Sequence, residues 1–184
     1  MMEGALRTAM QYLLLVGAFV HAVALAQDPA VSNYPLGPGD VISIQVLGED
    51  DLKRERIRLS DAATISFPIL GEIKLRGMTV GRPEQIITQG LAGRYLVNPQ
   101  VTVTINEYRS FFINGEVVRA GGYAYIPGLT VMKAVSLAGG FKERASREKI
   151  FVVRETDPTQ TPRKVDLKAS VQPGDIITVE ESFF

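Results

Sequence analysis

Apolar and polar residues alternate in several short segments of the chain, a pattern typical of half-buried β-strands. In VISIQV, Ile42, Ile44 and Val46 fall on one side of a strand, and Ser43 and Gln45 fall on the other. VTVTI at residues 101–105 alternates in the same way. Further predicted strands are TISFP, EIKL, FFIN, KIFVVR, KVDL and PGDIITVEE. The pattern therefore predicts a protein rich in short strands.

Two segments change to a helical period. In the first, an apolar stripe recurs every four residues, at Ile87, Leu91 and Tyr95. Thr79 is its expected N-cap. Three glycines between residues 81 and 93 make this helix intrinsically weak, so packing must hold it in place. In the second, Thr130 is the expected N-cap, and Gly139 stands where a left-handed C-cap belongs.

The tripeptide Pro-Gly-Asp occurs twice, each time directly before a predicted strand. Proline suits the second position of a tight turn, and glycine suits the positive φ of the next position. We therefore expect structural turns at Pro38, Gly39, Asp40, Pro173, Gly174 and Asp175. In this interpretation the two aspartates are turn or cap residues and not catalytic acids. Asn-Gly at residues 114–115 is a strong hairpin signal, and a second turn is expected at Gly121-Gly122.

The first 26 residues differ from the rest of the chain. Arg7 precedes an apolar run, YLLLVGAFVHAVAL, that is shorter than a typical membrane span and ends near Ala24-Leu25-Ala26. This arrangement predicts a secretory signal peptide at 1–26, cut after Ala26, with a flexible lead at 27–33. The alternative is an uncleaved membrane anchor.

Composition narrows the possible chemistry. The chain has no cysteine, and its single histidine, His21, lies inside the predicted signal peptide. A mature chain of this kind has neither Ser-His-Asp nor Cys-His catalysis and lacks the usual zinc ligands, so we expect no cofactor and no metal. Twenty basic and twenty acidic residues cancel, which argues against a nucleic-acid partner. A site built from Asp and Glu alone stays open.

Together these segments predict an α+β fold with two small domains, at residues 34–109 and 110–184, each with one helix on a small mixed or antiparallel sheet. Residues 34–106 resemble the export domain of the outer-membrane polysaccharide export proteins, through YPLGPGDVISIQV, FPILGEIKLRGMTV and NPQVTVTI. Residues 111–184 resemble the soluble-ligand-binding β-grasp (SLBB) domain that follows it, through INGEVVRAGGY, LTVMKAVSLAGGF and QPGDIITVEE. The resemblance implies a mixed sheet with one main helix in the export domain and a β-grasp-like second domain.

The resemblance also implies a role. Members of this family form homo-oligomeric rings around a hydrated path for capsular or extracellular polysaccharide, in the periplasm of Gram-negative bacteria. They work with an inner-membrane polysaccharide co-polymerase. Larger members carry a lipidated cysteine and a C-terminal membrane-crossing helix, whereas this sequence has Gln27 after the predicted cleavage site and ends at Phe184. We therefore expect a short periplasmic member, associated with the outer membrane, that works with a separate outer-membrane β-barrel.

Two other functions stay open at this point. One is a soluble glycan-binding adaptor that forms no conduit. The other is a carboxylate-based enzyme acting on glycans, which needs two positioned acids.

An export path needs hydroxyl groups, amides and occasional aromatic faces, and candidates for it are few. By analogy with the family, Ser66, Phe67 and Ile69 lie in a loop that approaches the ring axis, where Phe67 is either a constriction residue or core. Tyr123 and Tyr125 alternate on one strand and share a face, for sugar stacking or for packing. The charged segments at 49–58 and 142–149 are candidates for subunit contacts.

Overall fold

The first half of the chain forms a small antiparallel sheet, a separate hairpin and one helix. The structure, a computed structural model, describes residues 33–182, so the predicted signal peptide lies outside the described residues. The elements are β1 (Val41–Val46), a 3₁₀ turn (Asp50–Leu52), β2 (Arg54–Arg58), β3 (Thr64–Phe67), β4 (Gly71–Lys74), α1 (Gly81–Leu91) and β5 (Val101–Glu107). The sheet has the order β2-β1-β5, and β3 pairs with β4. These elements constitute the first domain.

The alternation of β1 places its apolar side in the core of this domain. Ile42 pairs with Ile105 and Ile44 with Val103 across the antiparallel β1–β5 ladder. Ile42 and Ile44 are fully buried against α1 and the β3–β4 hairpin, which supply Ile87, Leu91 and Phe67 among others. A one-residue slip would turn this apolar face to solvent, so burial determines the register.

The first helix is shorter than its sequence pattern predicts. Val80, in helical conformation and without a side-chain cap bond, is the N-cap, so the prediction that Thr79 caps the helix is wrong. The helix ends at Leu91 because Ala92 is extended and Gly93 has a φ of 76°. Tyr95 therefore lies beyond the helix and is 44% exposed, not part of the buried stripe.

One glycine in α1 has a packing role. A Cβ atom at Gly90 would lie 2.7 Å from a methyl group of Leu70, so the side chain of Leu70 occupies the space that any larger residue would need. Leu70 follows β3 at the end of the hairpin. The low helix propensity of Gly90 is thus offset by close contact between hairpin and helix.

The second half of the chain builds one five-stranded sheet with a helix on one face. Its elements are β6 (Phe111–Gly115), β7 (Gly121–Tyr123), α2 (Val131–Leu137), β8 (Ala145–Val153), β9 (Arg163–Val165) and β10 (Ile176–Glu181). The strand order is β7-β6-β10-β8-β9. The β6–β10 pair is parallel, and its neighbours are antiparallel. These elements constitute the second domain.

The helix of the second domain begins and ends as its sequence predicts. The Thr130 side chain accepts a hydrogen bond from the backbone N–H of Lys133 at 3.4 Å, which confirms Thr130 as the N-cap. Gly139 has a φ of 86°, the left-handed conformation expected after the helix. Val131, Ala134 and Val135 are buried against the inner face of the sheet.

The predicted α+β fold is confirmed, with two details corrected. The mixed sheet lies in the second domain, whereas the main sheet of the first domain is antiparallel throughout. Asn114 and Gly115 do not form a hairpin turn, and Gly121 and Gly122 lie in β7. Asn114 and Gly115 instead continue β6, because Asn114 pairs with Thr178 and Gly115 with Val179 in the parallel ladder. Pairing with β10 over four positions outweighs the local turn preference of Asn-Gly.

The loop between β8 and β9 is closed by one carboxylate, which makes a pH-dependent contribution to stability. Asp157 accepts hydrogen bonds from the Thr159 hydroxyl at 2.6 Å, the Thr159 N–H at 3.0 Å and Arg163 at 2.9 Å. These bonds, the hydroxyl first, lower the pKa of Asp157 below its ordinary value of 3.8. The stabilisation by ionised Asp157 is therefore fully present at pH values above 3.8. It is lost as the pH falls through the lowered pKa of Asp157 in the folded state.

We expect Asp157→Asn to be less stable than the parent protein at pH 7, with a difference that narrows as the pH falls below 3.8. Urea unfolding followed by circular dichroism across a pH series measures this difference. Thr159→Val, which removes the hydroxyl donor and keeps the carboxylate, should weaken the same pH dependence. A difference that stays constant at every pH would mean that the charge of Asp157 is not its source.

Candidate functional site at the domain junction

The first Pro-Gly-Asp segment forms a closed turn at the junction of the two domains. Gly39 has a φ of 86°. The N–H of Asp40 donates to the Gly37 carbonyl at 3.3 Å, and the Gly37 N–H donates to the Asp40 carboxylate at 2.8 Å. The Asp40 carbonyl accepts from the N–H of Leu59 at 2.8 Å, which ties the turn to the segment after β2. Asp40 is 0% exposed.

The second Pro-Gly-Asp segment repeats this arrangement in the second domain. Gly174 has a φ of 84°. The Asp175 N–H donates to the Gln172 carbonyl at 3.2 Å, and the Gln172 N–H donates to the Asp175 carboxylate at 2.7 Å. The Asp175 carbonyl accepts from the N–H of Phe112 at 2.8 Å, and its carboxylate pairs with Arg154. Each buried aspartate thus closes its own turn and holds one arginine.

Arg109 joins the first turn to the second domain. Its backbone N–H donates to the Asp40 carboxylate at 2.8 Å, and its guanidinium contacts the same carboxylate at 3.1 Å. The guanidinium also donates to Glu155 at 2.5 Å and to the Tyr34 hydroxyl. Asp40 and Tyr34 belong to the first domain, whereas Glu155 follows β8 of the second. One side chain, itself only 12% exposed, therefore links both domains.

Burial determines the electrostatics of this junction. Burial, and then the adjacent Asp40 carboxylate, raise the pKa of Tyr34 far above its ordinary range, so the ring stays a neutral phenol. Burial alone would lower the pKa of Arg109, but Tyr34, Glu155 and Asp40 raise it on balance, so Arg109 stays a cation. Burial also raises the pKa of Asp175, and the Gln172 N–H and Arg154 offset part of that rise.

Three tyrosines form a second, aromatic link across the junction. Tyr34 and Tyr108 meet edge to face with ring centroids 4.9 Å apart. Tyr108 and Tyr125 meet in the same way at 5.4 Å. Such pairs contribute about 0.5–1.5 kcal/mol beyond the area that they bury. Because Tyr34 precedes β1 and Tyr125 follows β7, this row also connects the two domains.

Arg109 helps to line three open cavities, of about 420, 320 and 240 Å³. The first, which we call the junction cleft, has a volume of about 420 Å³. Its walls are mostly polar or aromatic and include Arg58, Asn106, Glu107, Tyr108 and Tyr125. The second, which we call the sheet groove, has a volume of about 320 Å³. It is lined by Pro38, Arg109, Ser110, Phe112, Val153, Glu155, Gln160, Gly174 and Ile176.

Ser66, Phe67 and Ile69, the residues of the first domain that were predicted to line an export path, lie at the end of the β3–β4 hairpin. They do not line the cavities beside Arg109. The Phe67 side chain is 1% exposed and packs in the first core, so its ring does not face solvent. Ser66 is exposed. Ile69 is 52% exposed and has a φ of 70°, a strained conformation for a β-branched residue.

The prediction that Tyr123 and Tyr125 alternate on one strand is wrong, because β7 ends at Tyr123, and the two rings have different environments. Tyr123 stacks on Phe111 with ring centroids 5.9 Å apart, and its hydroxyl donates to the Arg119 carbonyl at 2.7 Å. Tyr125 contacts Tyr108 and lines the junction cleft. Tyr123 is therefore engaged in packing, whereas part of Tyr125 lines an open cavity.

Sequence patterns alone did not predict four of these site residues, Arg109, Glu155, Tyr34 and Tyr108. Their partners lie far along the chain, 69 residues apart for Arg109 and Asp40 and 46 for Arg109 and Glu155. The one available signal was an arginine at the predicted domain boundary. Within residues 33–182, no group of three His, Cys, Asp or Glu side chains is arranged to hold a metal ion. None of the helices in that range is long and apolar enough to cross a bilayer.

Comparison with known proteins assigns both domains to families. Residues 28–106 match the family of polysaccharide biosynthesis/export proteins, and residues 110–163 match the SLBB domain. The chain is also 32% identical over 83 residues to the exopolysaccharide production protein ExoF of Rhizobium meliloti (strain 1021). That alignment covers 44% of this chain and 20% of the relative. These matches identify residues 28–106 as a region of the polysaccharide biosynthesis/export protein family and residues 110–163 as one SLBB domain after it.

Proposed function

We propose that this protein is a non-catalytic component of a capsular or extracellular polysaccharide export system. In this proposal it acts in the periplasm, in association with the outer membrane, after removal of residues 1–26. Copies of the chain assemble into a ring that conducts the polymer. An inner-membrane polysaccharide co-polymerase and a separate outer-membrane β-barrel are its partners.

The observation that carries the proposal is the joining of the two family regions by buried contacts. A ring that conducts a polymer needs subunits that keep their shape while the chain passes. The Arg109 side chain, held by Asp40 on one side and Glu155 on the other, resists movement of the domains about their connection. The aromatic row of Tyr34, Tyr108 and Tyr125 adds a second contact. Together they favour a rigid subunit.

The geometry of the buried acids argues against glycan hydrolysis at the two repeated turns. A glycosidase needs two carboxyl groups that reach opposite sides of a scissile bond. Asp40 and Asp175 are 0% and 1% exposed, and each carboxylate is occupied by a backbone N–H and an arginine. Neither can approach a bound sugar without breaking its turn, so we assign both a structural role.

Within this proposal, the exposed end of the β3–β4 hairpin contributes to the path or to a subunit contact. Ser66 and Ile69 are open to solvent there, and the strained φ of 70° at Ile69 holds an apolar side chain outward. Tyr125, which lines the junction cleft beside Asn106 and Glu107, is the better placed of the two tyrosines for contact with the polymer.

A secretion assay tests the function. In a strain that lacks this gene, we expect polymer to accumulate inside the cells and to disappear from the medium, and the intact gene should restore secretion. Loss of polymer synthesis itself would instead point to a biosynthetic role and contradict the proposal.

The ring is tested separately by electron microscopy of the purified protein with its membrane partners. Closed rings are expected. A protein that restores secretion yet stays monomeric with those partners would be an adaptor and not a conduit.

A further inference from the structure

The outer face of the second domain's sheet, opposite α2, carries a row of apolar side chains. Phe112 lies beside Ile176 in the parallel β6–β10 ladder, and Ile176 lies beside Val153 in the β10–β8 ladder. The row therefore crosses three adjacent strands. Phe112 is 50% exposed and Ile176 is 37% exposed, whereas their neighbours Ile113 and Ile177 are buried on the other face.

A glycine sets the position of the Phe112 ring. Gly122 is the cross-strand partner of Phe112, and a Cβ atom at Gly122 would lie 2.9 Å from the ring. The backbone of Gly122 does not adopt a positive φ, so its conformation does not require glycine. The absent side chain instead lets the aromatic ring rest against β7, with half of the residue's surface open to solvent.

A polar wall stands beside this apolar floor. The lining of the sheet groove includes the polar residues Ser110, Glu155 and Gln160 as well as the apolar residues Phe112, Val153 and Ile176. The Glu155 side chain is 40% exposed although it holds Arg109. Its carboxylate can accept hydrogen bonds, and the serine hydroxyl can donate or accept them.

The charges of the wall leave no cation for an anionic ligand. Among the described residues that line the sheet groove, Arg109 is the only cation, and it is already shared by Glu155 and the buried Asp40. A bound carboxylate would face the Glu155 carboxylate and a guanidinium that is already paired. Uncharged ligands are therefore favoured.

An apolar floor with an aromatic ring, next to acceptors and a hydroxyl, has the chemistry that complements a sugar. The C–H face of a pyranose packs on an aromatic ring, and its hydroxyls hydrogen-bond to carboxylate and hydroxyl groups. We propose that the sheet groove, centred on Phe112 and Gly122, is a stacking subsite for an uncharged sugar residue of the exported polymer. This inference rests on the proposed export function, which supplies the polymer.

A contact with a second copy of the chain is the competing occupant of the same surface. The cores of protein–protein interfaces are depleted of charged groups. Here the carboxylate of Glu155, which is 40% exposed, forms part of the groove itself. The mixed lining therefore favours a sugar over a protein surface.

Sugar titrations of the purified protein, followed by NMR, test the subsite. Cellohexaose and maltohexaose serve as uncharged probes, and a galacturonate hexamer serves as the anionic probe. We expect at least one uncharged probe to shift the resonances of Phe112, Gly122 and Ile176. Phe112→Ala should weaken its binding about tenfold, a difference of about 1.4 kcal/mol. Gly122→Ala, which displaces the ring without removing it, should also weaken binding.

Tyr95→Ala is the matched control, because Tyr95 is an aromatic residue of similar exposure, 44%, in the first domain. It should leave the affinity unchanged. The galacturonate hexamer should bind at least about tenfold more weakly than the better uncharged probe, at low ionic strength.

Several results would overturn the subsite. They are the absence of shifts with both uncharged probes, equal binding of the galacturonate, or equal losses for Phe112→Ala and Tyr95→Ala. A change in oligomeric state for Phe112→Ala with unchanged sugar binding would assign the surface to a subunit contact. If the intact gene restores secretion while no sugar binds in the groove, only this inference fails. If deletion of the gene leaves secretion intact, the proposed function fails whatever the groove binds.

Discussion

Replacing Arg109 with methionine is expected to lower the free energy of unfolding by about 3 kcal/mol, because it leaves a buried carboxylate without its cation. Asp40 is 0% exposed and would keep its hydrogen bonds to Gly37 and Tyr34 but lose the guanidinium. The same change separates Glu155 from the first domain. Urea unfolding followed by circular dichroism should therefore show a lower midpoint and a broader or divided transition.

The matched control is Arg144→Met, because the pair of Arg144 with Glu181 at 3.0 Å lies on the surface, with the arginine 70% exposed. Surface pairs of this kind contribute about 0–1 kcal/mol. Adding Asp40→Asn to Arg109→Met should recover part of the lost stability, since it removes the unpaired charge. Equal losses for the two arginine variants would show that the junction pair contributes no more than a surface pair.

Gly115→Ala is expected to prevent the second domain from folding, or to destabilise it by at least about 4 kcal/mol. A Cβ atom at Gly115 would lie 2.0 Å from the Val179 carbonyl oxygen, which is backbone of the paired strand and cannot move aside. The residue also has a φ of 84°, which disfavours any side chain. The β6–β10 ladder crosses the centre of the sheet, so its disruption removes the surface on which α2 packs.

Gly128→Ala separates the effect of the close approach of β10 from the effect of the positive φ. Gly128 has a similar φ of 77°, but a Cβ atom added there would meet no other atom within 4 Å. Its substitution should cost only the backbone strain, about 1–2 kcal/mol. Thermal unfolding of both variants, together with NMR spectra of the second domain, measures the difference. If Gly115→Ala folds with the stability of Gly128→Ala, the close approach of β10 is not what requires glycine there.

Local patterns predicted the elements of the fold well where burial and local preference agree. The alternation in β1 and β5 and the capping of α2 by Thr130 are local signals, and the structure follows them. The predictions fail where distant contacts compete with local preference. Asn114-Gly115 has the composition of a turn, yet pairing with β10 keeps both residues in β6. The stripe of α1 extends to Tyr95 in the sequence, yet the positive φ of Gly93 ends the ordered pattern earlier.

The candidate site was predicted less completely than the fold. Motif and spacing located the two Pro-Gly-Asp turns, but a turn motif does not show which arginine its aspartate holds. Phe67 had two interpretations, and its burial in the first core favours packing over contact with polymer. From the sequence, Phe112 was assigned only to a strand. The alternation along one strand does not reveal that Gly122 lies opposite Phe112 on the next strand.

The sequence by itself determined the fold class, the order of the two domains and the exclusion of histidine and cysteine chemistry from residues 33–182. Composition and the spacing of apolar residues can be read directly from the sequence, because they do not depend on how the chain folds. Only the tertiary structure decided that Arg109 joins Asp40 to Glu155, and that Phe112 and Ile176 form one floor beside a polar wall. Those relations depend on sheet order and register across long loops, which the packing of the whole domain determines.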